Sequence, residues 1–146
     1  MKTLLIICEA GHWRSGNLAR EISIGFKKQK IKARVVKAGY RNKEKSPYFN
    51  PPKFLAYMFM TRLTQKMINE SNQIIIAAPE IYYKLRREFK IPNEKTICYD
   101  IEDYKSLFDL LPIFNHKFKK RIGEYARLYI NKHRQIFKKP TYQPIF

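Results

Sequence analysis

Thr3 to Cys8, TLLIIC, is an almost unbroken apolar run. A run so short and so free of polar alternation predicts a strand covered on both faces, as in a parallel sheet. After the loop EAGHW the spacing changes. Leu18, Ile22 and Phe26 recur every four residues, Ser15 is a good N-cap, and Lys27, Lys28 and Lys30 gather where a helix dipole favours cations. Ile31 to Lys37 alternates as a second strand and stops at Ala38-Gly39, a turn signal. RNKEKSPYFNPP, residues 41–52, holds three prolines without a period and reads as the longest loop. Helical spacing returns from Lys53, with Leu55, Phe59, Leu63 and Met67 on one face, and QIIIAA at 73–78 repeats the buried-strand signature. Pro79 suits the first turn of the next helix, EIYYKLRREF, which Ile91-Pro92-Asn93 ends. TICY at 96–99 is a fourth strand, and a short helix follows near 104–110. A long last helix is expected from about Phe114 to Phe137, with Phe114, Phe118, Ile122, Tyr125, Tyr129 and His133 along one stripe.

Strands alternating with helices predict an α/β fold: a four-stranded parallel sheet with helices on both faces, joined by right-handed crossovers. The length of 146 residues fits one domain over residues 1–137, with the Pro-containing 138–146 as an irregular C-terminal tail. In such sheets ligands bind beyond the C-terminal ends of the strands, at the topological switch point. Cys8 and the acidic DIED at 100–103 are expected at that edge.

Composition changes this picture in one respect. Apolar residues at 45% and aromatics at 14% are enough for a packed core, yet 30 Lys+Arg against 12 Asp+Glu leave a formal charge of +18. That field draws anionic partners and weakens with salt. Nucleic acid, acidic membrane surfaces and phosphorylated proteins all qualify, as does a plain solvated surface. Two cysteines, Cys8 and Cys98, are too few for a disulfide framework and favour a reduced, cytoplasmic setting. The apolar run at the N-terminus is shorter than the ~7–15 residues of a signal sequence. No stretch approaches the ~18 consecutive apolar residues of a membrane span. His12, His116 and His133 lack ligand spacing and no Cys/His cluster occurs, so neither a metal nor another cofactor is expected.

The chemistry concentrates in Cys8 to Ser15, where five residues separate Cys8 from Arg14 and Ser15 follows directly. A loop from a strand into a helix aims backbone N–H groups and the positive end of a dipole at one point, which makes an oxyanion cradle. Glu9, Ala10, Gly11, His12 and Trp13 would wrap the anion, with Gly11 able to take a positive φ. Arg14 adds a planar bidentate donor for phosphate oxygens that lysine would not reproduce. The same field favours the thiolate form of a cysteine, and the Ser15 hydroxyl can donate to it. The bland reading makes Cys8 a small buried hydrophobe at a strand end. Cysteine, arginine and serine in this register favour function.

This C-x5-R-S motif, close to the N-terminus between strand and helix, resembles the phosphate loop of the low-molecular-weight protein tyrosine phosphatases. VVKAG at 35–39, NQIIIAAPE at 72–80 and DIED at 100–103 follow in that family's order, as weaker likenesses over most of the chain. The resemblance implies attack of Cys8 on phosphorus to form a phosphocysteine. Arg14 and the loop amides would stabilise the equatorial oxygens, and an Asp would protonate the leaving phenolate and then activate water. By position that Asp is Asp103, with Asp100 and Glu102 as rivals; the bland reading of all three is an acidic turn capping the next helix. His12, Trp13, Tyr40 and Tyr104 could wall a pocket for an aryl phosphate, although aromatics are more often packing. The sequence departs from the family where Ala10 and Gly11 stand at the Gly and Asn positions, Trp13 at a second cysteine and Gly16 at a proline. Asp103 is followed by Tyr104 rather than by proline.

Other readings compete. A basic module could follow a nucleic-acid backbone with Lys117, Lys119, Lys120, Arg121, Arg127, Lys132 and Arg134 of the last helix, though no nucleic-acid motif occurs. The same excess could recruit a phosphatase to acidic partners, RNA or anionic lipid. A phosphate-loop protein could bind oxyanions without turnover. An arsenate reductase of similar fold ranks lowest, because Cys98 is the only spare thiol.

Overall fold

A computed structural model describes residues 1–9, 14–40, 61–101 and 116–137. Strands β1 (Lys2–Cys8), β2 (Ala33–Gly39), β3 (Gln73–Ile76) and β4 (Thr96–Cys98) form one sheet in the order β2-β1-β3-β4. All three pairings are parallel. Helices α1 (Arg14–Lys28), α2 (Gln65–Glu70), α3 (Pro79–Glu88) and α4 (His116–Phe137) accompany it, with a 3-10 turn at Asn93–Lys95. The chain moves one way from β1 to β2 and the other way from β2 to β3 and β4. Right-handed crossovers therefore put α1 on one face and α2 and α3 on the other. The α/β fold expected from the pattern is the one observed.

Leu4, Leu5, Ile6 and Ile7 of β1 are fully buried, as are Ile74, Ile75 and Ile76 of β3. The two central strands are covered on both faces, which is why their sequences carry no alternation. Each such side chain contributes about 1.5–3 kcal/mol of burial. α1 offers Leu18, Ile22 and Phe26 to the core and packs on α4 through the rings of Phe26 and Phe137, 5.2 Å apart. The α4 stripe is wider than the spacing suggested. Ile122 and Tyr129 are buried as expected, and Ala126, Ile130 and Phe137 join them. Phe114 and the segment near 104–110 lie outside the described residues.

Two boundaries differ for identifiable reasons. The helix expected from Lys53 does not include Leu63. Gly39 N–H donates to Thr61 O at 2.8 Å and Leu63 N–H to Gly39 O at 3.1 Å, so residues 61–63 extend the sheet edge instead. α2 starts only after Thr64, whose hydroxyl accepts from Met67 N–H. Ser15 is not the N-cap of α1, because the helix already includes Arg14 and the serine faces inward.

Candidate active site

Reversal of direction at β1 creates a switch point between β1 and β3. The backbone continues past the strand ends there. Tyr40 N–H donates to Cys8 O at 2.8 Å, Ala77 N–H to Ile7 O at 2.9 Å, and Ile101 N–H to Ala77 O at 2.8 Å. Cys8, Tyr40, Ala77 and Ile101 are thereby fixed along one edge.

At its centre Cys8 is 2% exposed, and its Sγ lies 3.0 Å from the Oγ of the fully buried Ser15. A parallel sheet forces the chain to leave β1 and return as a helix, and the first turn of α1 brings Ser15 back over the sulfur. Arg14, only 3% exposed, turns the other way along the edge. Its Nη1 donates to Ile101 O at 3.2 Å and reaches Glu80 Oε1 at 3.4 Å. A guanidinium this buried needs such partners.

Glu80 was not among the residues singled out from sequence. A signal existed: an acid in the first turn of a helix that directly follows a strand points to the same edge, where the helix dipole favours it. Ile101, anchored between Ala77 and Arg14, could not be found in this way, because a backbone carbonyl carries no sequence signature.

Cys8, Arg14, Ser15 and the backbone of Tyr40 come together. The Tyr40 hydroxyl donates to Glu88 Oε1 at 3.0 Å, at the opposite end of α3 from Glu80 and about 12 Å along the helix. Glu9 is half-buried where the loop begins. Ala10, Gly11, His12 and Trp13, and beyond Ile101 the residues Glu102, Asp103 and Tyr104, lie outside the described residues. Asp100 is exposed, and its carbonyl accepts from the Tyr125 hydroxyl at 3.1 Å.

Cys98 is no partner for Cys8. In the strand register it shares a row with Ile76 and Ile7, and the pleat turns it to the face opposite Cys8. Two strand spacings, about 10 Å, separate their backbones, beyond the ~7 Å that a disulfide spans. Burial, with the charges of Glu80 and Asp100 beside it, also pushes the Cys98 thiol up from its ordinary value. Neither cysteine is in a disulfide. Among the described residues no three His, Cys, Asp or Glu side chains converge as metal ligands. No helix of the described residues is long and apolar enough to cross a membrane.

The chain is similar to solved phosphatases along nearly its whole length. A YwlE mutant from Bacillus subtilis matches with a TM-score of 0.70 at 12% identity, over 92% of this chain and 99% of that one. A low-molecular-weight phosphotyrosine phosphatase from Vibrio cholerae O395 gives 0.69 at 15% identity, over 92% and 98%. The YwlE arginine phosphatase from Geobacillus stearothermophilus gives 0.59 at 15% identity, over 92% and 97%. No protein-family model matches the chain, and no curated protein sequence does. The fold is that of the low-molecular-weight phosphatases.

Proposed function

We propose that this chain is a cysteine-dependent phosphomonoester hydrolase acting on protein phosphotyrosine, with Cys8 as nucleophile, Arg14 as phosphate clamp and Asp103 as general acid and base. The observation that carries the reading is the buried pair of Cys8 and Ser15, 3.0 Å apart beside a buried Arg14, at the switch point of a phosphatase fold. A cysteine serving only as packing has no need of a buried serine hydroxyl at its sulfur with a buried arginine next to that serine in the chain.

In the first step the Cys8 thiolate forms an S–P bond as the P–O bond to the tyrosine breaks. The proton from the Asp103 carboxyl goes to the leaving phenolate. Charge on the equatorial oxygens is met by Arg14 and by amides at the start of α1. In the second step the Asp103 carboxylate takes a proton from water, the hydroxide oxygen bonds to phosphorus, and the S–P bond breaks. Ser15 donates to the sulfur as it leaves. Asp103 is preferred over Asp100 because its position in DIED matches the general-acid Asp that the phosphatase resemblance implies. No step calls on a metal or a second thiol.

Hydrolysis of para-nitrophenyl phosphate at mildly acidic to neutral pH, with inhibition by vanadate, is the expected result. Cys8→Ser removes turnover, and Asp103→Asn slows it far more than Asp100→Asn. Wild-type protein that binds vanadate without hydrolysing the ester would make this an oxyanion-binding protein instead. Because one structural neighbour is an arginine phosphatase, the assay includes a phosphoarginine peptide. Faster release from that peptide than from a phosphotyrosine peptide would reassign the leaving group while keeping Cys8 and Arg14 in their roles.

A further inference from the structure

We propose that the pole of the molecule opposite the Cys8 edge docks on an anionic lipid bilayer, leaving the Cys8 edge turned toward solution. α1 leaves the C-terminal end of β1, and α4 runs in the same direction. Tyr125 of α4 meets Asp100 beyond the end of β4, Tyr129 meets Gln73 at the start of β3, and Ile136 O accepts from Lys2 Nζ at 2.6 Å at the start of β1. Both helices therefore end at the same pole, joined there by the rings of Phe26 and Phe137. From Lys2 to Cys8 the strand is about 20 Å long, which separates this pole from the candidate active site.

Two stretches far apart in sequence meet at that pole. KKQKIKAR, residues 27–34, contributes five exposed cations and no acid, and the end of α4 adds exposed Lys132 and Arg134. Among the described residues, none of these seven cations is in an ion pair. Unpaired like charges so close repel one another in the free protein, and an anionic surface converts that repulsion into attraction. Each cation held near such a surface raises partitioning by about fivefold.

The backbone gives an independent sign. Lys30 sits at φ 56°, the left-handed conformation that favours glycine after a helix. Lys30 N–H donates to Lys27 O and Ile31 N–H to Phe26 O, which closes a Schellman turn. Glycine would close that turn at less cost, yet the position holds another cation.

The make-up of the pole favours lipid over nucleic acid. Among the described residues its aromatic pair, Phe26 and Phe137, is buried and offers no ring face for bases to stack on. Four of the five cations in KKQKIKAR are lysines, point charges without the planar fork that reads guanine edges or clamps single phosphates. A field of headgroup charges asks only for point charges within a Debye length.

Co-sedimentation with phosphatidylcholine vesicles, with and without phosphatidylglycerol, tests this. Binding is expected only with phosphatidylglycerol, and it falls as salt is added. Reversing Lys27, Lys28, Lys30 and Lys32 together to Glu lowers partitioning by about a hundredfold or more. Reversing Lys117, Lys119, Lys120 and Arg121, exposed cations in the first two turns of α4 at the end of that helix away from this pole, changes it by less than about threefold. Neutral replacement of the four pole lysines by Gln gives an intermediate loss, and the thermal midpoints of all variants verify folding. Equal losses in the pole and control variants, equal binding to neutral vesicles, or tighter association with duplex DNA or RNA than with phosphatidylglycerol vesicles at the same salt would each overturn the proposal. None of the four pole lysines touches the candidate active site, so the outcome is independent of whether the chain hydrolyses phosphate esters.

Discussion

Glu80 holds Arg14 from one side at 3.4 Å, with its own side chain 61% exposed. Water screens so open a carboxylate, and its pairing with Arg14 contributes no more than about 1 kcal/mol. Glu80→Gln is therefore expected to lower kcat/KM on para-nitrophenyl phosphate by about fivefold or less. Arg14→Lys, which loses the planar fork and its contact with Ile101 O, should cost at least ten times more. A larger loss for Glu80→Gln than for Arg14→Lys would make Glu80 a reacting group. Cys98 gives a second measurement at this scale. Its raised thiol, due first to burial and then to Glu80 and Asp100, leaves little thiolate at neutral pH. It should react with iodoacetamide more slowly than free cysteine, and Asp100→Asn should speed it only slightly, because burial is the larger cause. The arginine, the serine and their cysteine were legible from spacing alone. Glu80 and the Ile101 carbonyl were not, because nothing local ties residues this distant in sequence to residue 14.

Between α1 and α4, Gly25 lets the Ile130 side chain lie against the helix backbone, and a Cβ there would collide with Ile130 Cδ1. Alanine gains up to about 1 kcal/mol of helix propensity over glycine, whereas overpacking costs about 1–3 kcal/mol. Gly25→Ala should thus destabilise the protein by about 1 kcal/mol in urea unfolding. With Ile130→Val as background, which removes the offending methyl, the same change should become neutral or stabilising. At the end of α1, Lys30→Gly relieves a left-handed φ and should stabilise by about 0.5–1 kcal/mol while weakening vesicle binding. Element types were read correctly wherever the apolar period was long, as in α1 and α4, or the run was dense, as in β1 and β3. The stretch before α2 was misread because Leu63 and Met67 keep helical spacing, while Thr61 and Leu63 pair their backbones with Gly39. A partner strand end outweighed local propensity.

Acid and alkali act on the molecule as a whole. His133, stacked on Tyr129 at 5.0 Å, is held below its ordinary value of 6.5 by burial and then by Lys132. The unfolded chain therefore binds a proton that the folded one resists, and stability falls as pH drops below about 6.5. Each added proton also enlarges the surplus of a chain already at +18. Tyr129 and Tyr99 are pushed up from 10.0, chiefly by burial, so the folded state keeps protons that the unfolded state loses, and stability falls again above about pH 10. Urea midpoints measured across pH should form a plateau between these limits, and His133→Gln should flatten its acid side. An unchanged acid limb in that variant would assign the loss to charge repulsion alone.

The sequence by itself determined the α/β class, the buried central strands, the strand-loop-helix setting of Cys8, and the spacing of Cys8, Arg14 and Ser15. All of these rest on interactions within a few residues: side-chain period, helix capping and chain reach. Only the tertiary structure decided that Arg14 meets Glu80 and Ile101, that Cys98 faces away from Cys8, and that KKQKIKAR joins the end of α4 at one pole. Those outcomes depend on strand order, register and the direction in which helices return across the sheet. Such long-range relations arise from packing the whole core, and no local pattern encodes them.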